Sequence, residues 1–73
     1  MVTERLVDAR GMRCPWPVIR LARAARELGG PGRIRILADD PIAPGEIAAL
    51  CTERGWTCRG GEGSFEIAIG SDA

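Results

Sequence analysis

Cys14-Pro15-Trp16-Pro17 sets one thiol against the start of an amphipathic segment. Proline is tolerated in a first helical turn, where its missing N–H has no intrahelical partner, and its fixed φ suits a helix. Pro15 near the first helical position and Pro17 near the third therefore predict a helix starting directly after Cys14. The free N–H groups of Trp16, Val18 and Ile19 would then point toward that end, where the helix macrodipole places roughly half a positive charge. A thiolate is stabilised at such a position, and more so beside arginine. Arg10 and Arg13 supply the charge, and Gly11 marks a turn that lifts the cysteine from the core. The chemistry this spacing points to is that of a nucleophilic thiol.

Other chemistries are excluded by what is missing. The 73 residues contain no histidine, which removes the usual base of a Cys-His or Ser-His nucleophile and the commonest zinc ligand. All ten basic residues are arginine, so Schiff-base chemistry has no lysine to use. Cysteines at 14, 51 and 58 form no Cys-x-x-Cys pair and leave an odd count, which supports neither a disulfide scaffold nor a metal site. Reduced thiols in a cytoplasm are the expectation. Ten acidic residues balance the ten basic ones, so charge alone gives no reason to expect nucleic acid. Met1 to Arg5 hold no apolar signal core, and no apolar run approaches the ~20 residues that cross a bilayer. A single soluble domain over residues 1–73, with no cofactor, is expected.

The elements that must hold Cys14 follow from hydrophobic periodicity. Residues 5–9 read as a strand ending in the Arg10-Gly11 turn. A helix from Pro15 to Leu28 places Val18, Leu21, Ala22, Ala25 and Leu28 on a buried stripe and Arg20, Arg23 and Arg26 opposite, with Gly29-Gly30 as its stop. Residues 33–38 alternate as a half-buried strand. Pro44 and Glu46 open a second helix carrying Ile47, Leu50 and Cys51 on one side, and Gly55 ends it. Trp56 to Arg59 and Ser64 to Ile69 read as strands joined through Gly60-Gly61-Glu62-Gly63. The order β-α-β-α-β-β predicts an α/β two-layer sandwich, two helices on one face of a four-stranded mixed sheet, with a right-handed parallel crossover and a terminal hairpin. Strand order does not follow from these patterns.

In a strand-helix-strand unit, the loops after the carboxyl ends of parallel strands gather on one edge. Arg13-Cys14 should therefore lie near Asp39-Asp40-Pro41. Two arrangements fit: an aspartate pairs with Arg13 or Arg10 and orients it, or it caps the second helix. A carboxylate facing the sulfur would raise the thiol pKa and oppose the arginines. Cys51, on an apolar stripe, and Cys58, in phase with Trp56, read as core or half-buried thiols.

Asp8 to Pro17, the following apolar helix, Ala38-Asp39-Asp40-Pro41 and the second helix resemble the TusA/SirA-like sulfur-carrier family, over nearly the whole chain from Leu6 to Ile69. The resemblance implies a cytoplasmic carrier that holds sulfur as a persulfide on Cys14, with Arg13, Pro15, Pro17, Asp39 and Asp40 in support. It implies a cysteine desulfurase or rhodanese-like donor, and an acceptor used in tRNA thiolation, molybdenum-cofactor maturation or sulfur oxidation. Such a chain is a sulfurtransferase-type carrier rather than a stand-alone turnover enzyme. Trp16 and Glu46 depart from residues familiar in the family. Trp16, as an exposed aromatic, and Arg20 are candidate partner contacts. The alternative reading is a non-catalytic regulatory or RNA- or protein-binding module using the arginine face.

Overall fold

The computed structural model describes residues 4–70; the first three residues, read above for a signal core, and the last three lie outside the described residues. Six elements follow in the expected order: β1 (Glu4–Asp8), α1 (Trp16–Leu28), β2 (Gly32–Leu37), α2 (Ala43–Arg54), β3 (Thr57–Gly61) and β4 (Ser64–Ile69). They form one four-stranded sheet in the order β1-β2-β4-β3, with β1 and β2 parallel and the other pairs antiparallel. This is the two-helix, mixed-sheet α+β sandwich.

The central pair is the apolar pair. β2 and β4 align Ile34 with Ile67 and Ile36 with Phe65, all four buried, and such cross-strand pairs stabilise a sheet from within. The edge strands carry little: β1 buries Val7, and Thr-Cys-Arg-Gly-Gly of β3 buries nothing fully. The hairpin thus places its apolar strand inside and its glycine-rich strand at the rim.

Several boundaries differ from the sequence expectation, each for a local reason. Ala9 leaves the β1 ladder but stays buried, its N–H donating to the Leu37 carbonyl at 2.7 Å. Ala38 has left β2, because its N–H donates to Gly63 in the hairpin turn at 3.0 Å. Trp56 precedes β3, since its N–H caps α2 on the Cys51 carbonyl at 2.8 Å. Gly60 and Gly61 belong to β3, leaving the two-residue turn Glu62-Gly63, both at positive φ.

The buried line of α1 is Pro17, Leu21 and Ala24, with Val18, Ala22, Ala25 and Leu28 packed at its flanks. The expected stripe is therefore turned by about one residue, because Pro17 is itself a core residue. Gly29 and Gly55 end the helices in the left-handed conformation at φ 75° and 76°. α2 buries Ala43, Ile47, Leu50 and Cys51 against the same sheet face. Among the described residues no helix is long and apolar enough to cross a membrane.

Candidate functional site

Cys14 stands at the carboxyl edge of the parallel pair, between β1 and α1. Gly11, at φ 83°, turns the chain out of β1, and Met12 tucks back with its N–H on the Ala9 carbonyl at 3.2 Å. The next turn closes when the Trp16 N–H donates to the Arg13 carbonyl at 2.8 Å, enclosing Cys14 and Pro15. The Cys14–Pro15 peptide bond is cis. α1 begins at Trp16 with Pro15 as its N-cap and Pro17 in its first turn. Both prolines thus sit about one position earlier than expected, because the Trp16 donor is needed to close the turn.

That change matters for the sulfur. Of the three N–H groups expected to face it, Trp16 donates to Arg13 and Ile19 to Pro15, at 3.1 Å. Of these three, the Val18 N–H is the one left without a backbone partner.

The second loop arrives from β2, as the parallel crossover requires. Asp39 Oδ1 accepts the Gly11 N–H at 2.9 Å. Asp40 Oδ2 accepts the Cys14 N–H at 2.6 Å, while Oδ1 accepts the Ile42 N–H at 3.1 Å ahead of α2. The two aspartates therefore grip the backbone of the cysteine loop. This corrects the first expected arrangement, since neither aspartate hydrogen-bonds an arginine; Asp40 realises part of the second by ordering the approach to α2. The Cys14 N–H, then the Ile42 N–H, hold the Asp40 carboxyl below its usual value, with the Arg13 charge adding.

The expected lowering of the thiol pKa is overturned. Desolvation in the loop pushes Cys14 above the ordinary thiol value, and the carboxylates of Glu46 and Asp40 push the same way. Arg10 does not help, because it forms a two-pronged pair with Asp8 at 2.9 and 2.8 Å. That pair holds Asp8 down to about 2. Arg13 lies exposed, its charge acting on Asp40. Glu46, noted in the sequence as an opening residue of the second helix and as a departure from the family's pattern, is thus near enough for its charge to act on the sulfur. Its signal was the convergence of two helix starts on one sheet edge.

The remaining candidates separate. Trp16 is 58% exposed and Ile19 45%, both in the first turn of α1, and Ile42 is 58% exposed just before α2. Trp16 is thus exposed, as the sequence led one to expect. Arg20 lies apart, lining a shallow cleft between α1 and β1 with Arg5, Asp8, Arg23 and Glu27. Arg23 pairs with Glu27 on the solvated face of α1.

The sequence profile of the family described as sulfurtransferase TusA matches residues 5–70. The chain belongs to the TusA family. The sulfur carrier protein TusA of Pseudomonas entomophila (strain L48) is 33% identical over 51 residues, which cover 70% of this chain and 64% of that relative. The chain thus matches somewhat under two thirds of the relative's length. The crystal structure of a SirA-like protein from Desulfitobacterium hafniense superposes with a TM-score of 0.76 at 29% identity, covering 92% of this chain and 99% of the other.

Proposed function

We propose that this chain is a sulfur carrier whose cargo rides on Cys14. The observation that carries the reading is the built loop: a cysteine held between two helix starts, its backbone fixed by Asp40 and its surroundings free of any histidine base. Sulfur transfer needs no such base. The Cys14 thiolate attacks the outer sulfur of a donor persulfide, R–S–SH; the donor S–S bond breaks and R–S⁻ leaves. Cys14 then holds the S–SH group, and the leaving thiolate takes up the proton that Cys14 released. An acceptor nucleophile repeats the exchange on that outer sulfur. The name of the Pseudomonas relative, a sulfur carrier, supports the same assignment.

Donor and acceptor are proteins in this reading, a desulfurase or rhodanese-like donor and a relay acceptor. Trp16, Ile19 and Ile42 give such a partner apolar purchase around the thiol. The raised thiol pKa gives docking a chemical consequence. A partner that brings a basic side chain to Glu46 and Asp40 removes two of the influences that keep Cys14 protonated.

The test is incubation with glutathione persulfide, followed by intact mass and tryptic mapping. Cys14, Cys51 and Cys58 fall on separate peptides, 14–20, 36–54 and 55–59. One added sulfur on peptide 14–20, absent from Cys14→Ser, is expected. Sulfur landing chiefly on the other two peptides would sink the reading.

A further inference from the structure

The other two cysteines stand together at the far end of α2. Cys51 is 2% exposed, and its carbonyl accepts the N–H groups of both Gly55 and Trp56. Those bonds, with Gly55 in the left-handed region, reverse the chain immediately past the helix. β3 therefore starts beside the helix end. Thr57 points out and Cys58, half-buried, points back toward α2, as strand alternation requires. Both cysteines line one cleft of about 480 Å³ with Thr52, Trp56 and Arg59. Burial pushes the Cys51 thiol up to about 12, and the Cys58 thiol adds to the rise. Both are free thiols.

We propose that Cys51 and Cys58 are a redox-active pair that closes to an intramolecular disulfide by exchange with a low-molecular-weight disulfide, independently of Cys14. Cys58, the more accessible, enters first: its thiolate attacks one sulfur of R–S–S–R, that bond breaks, and R–S⁻ leaves and is protonated. Cys51 then loses its proton and attacks the Cys58 sulfur, expelling the second R–S⁻. Two cysteine thiols are oxidised and one R–S–S–R is reduced to two R–SH. Cys14 is out of reach. The Asp40 carboxylate that holds the Cys14 N–H also holds the Ile42 N–H, and Cys51 lies nine residues past Ile42, roughly 13 Å at the rise of an α-helix. The donor set also favours a disulfide over a metal, since among the described residues no three His, Cys, Asp or Glu side chains cluster to hold an ion.

The whole chain, incubated with glutathione disulfide and digested without reductant, should yield peptides 36–54 and 55–59 joined and lighter by two hydrogen atoms. Dithiothreitol should separate them. In Cys51→Ser the glutathione adduct should persist on Cys58. Should that variant not fold, Cys58→Ser at the half-buried position serves, and its Cys51 should stay unmodified. No cross-link, a link through peptide 14–20, a chain-to-chain link, a stable Cys58 adduct in the unsubstituted protein, or a Cys51 adduct in Cys58→Ser would each overturn the proposal. None of these outcomes touches sulfur loading of Cys14.

Discussion

Asp40 holds the Cys14 backbone through a 2.6 Å hydrogen bond and at the same time disfavours ionisation of the Cys14 thiol. One carboxylate thus fixes the nucleophile and restrains it. Asp40→Asn should separate the two effects. The lost charge should lower the pH midpoint of Cys14 alkylation. The neutral amide, a weaker acceptor, should speed exchange of the Cys14 and Ile42 amide protons. A midpoint that rises instead would mean the hydrogen bond supports the thiolate more than the charge opposes it.

Glu46 offers the cleaner comparison, because it acts on the sulfur by charge alone. Glu46→Gln should lower the alkylation midpoint without disturbing the Cys14 amide or the melting temperature. Surface substitutions of this kind usually stay within about 0.5 kcal/mol. The shift should shrink in high salt, as screening of an exposed carboxylate demands. pH profiles of iodoacetamide labelling at two ionic strengths read both effects.

What could be read from the sequence was what depends on neighbours in the chain. Gly29 and Gly55 stop their helices where the glycine preference puts them, and the β-α-β order alone brought Asp39 and Asp40 to the loop that carries Cys14. What could not be read depends on competition. Arg10 looked available to the thiol, but Asp8, two residues away, takes it through two hydrogen bonds. Pro17 looked like a mere helix opener, yet it is buried and turns the stripe of α1. The place of β4 beside β2 was legible only in hindsight, from the apolar Phe65, Ile67 and Ile69 against the glycines of β3.

Those glycines give a sharp stability test. A Cβ on Gly60, at φ 117°, would collide with the Ser64 carbonyl oxygen across the hairpin, whereas one on Gly61 meets nothing. Gly60→Ala should therefore destabilise by about 2 kcal/mol or more, since strain and backbone displacement combine. Gly61→Ala should stay within about 1 kcal/mol. Urea midpoints measured side by side decide it; equal losses would contradict the geometry of the turn.

Acid should unfold the protein through its depressed carboxyls. Asp8 is held at about 2 against an ordinary 3.8, first by its hydrogen bonds from Arg10, and Asp40 and Glu66 are lowered as well. A folded-state pKa below the unfolded one contributes stability that is present above the unfolded value and lost as pH falls through the folded one. The melting temperature should be level above about pH 5 and decline steadily toward pH 2. Arg10→Ala should make the lower part of that decline shallower. A profile unchanged by Arg10→Ala would show that the exposed pair contributes nothing measurable, the usual fate of surface ion pairs.

Alkali should act through Cys51. Its thiol is pushed from 9.0 to about 12 in the folded protein, chiefly by burial. A group whose folded-state pKa is raised keeps its proton in the native state while the unfolded chain releases it. Stability is then complete below the unfolded value and falls as pH climbs from 9.0 toward about 12. Cys51→Val removes the titrating group while keeping an apolar side chain of similar size against Ile47 and Leu50. Under reducing conditions, its melting temperature should fall less steeply above pH 9 than that of the parent. Cys14 is also raised, so Cys14→Ser provides the control for the smaller contribution from the loop. The same burial makes Cys51 the slowest of the three thiols to react with iodoacetamide near neutral pH, behind the half-buried Cys14 and Cys58. If Cys51→Val and the parent lose stability in parallel, or if Cys51 labels as fast as the other two, then the end of α2 opens far more readily than its packing against β3 implies.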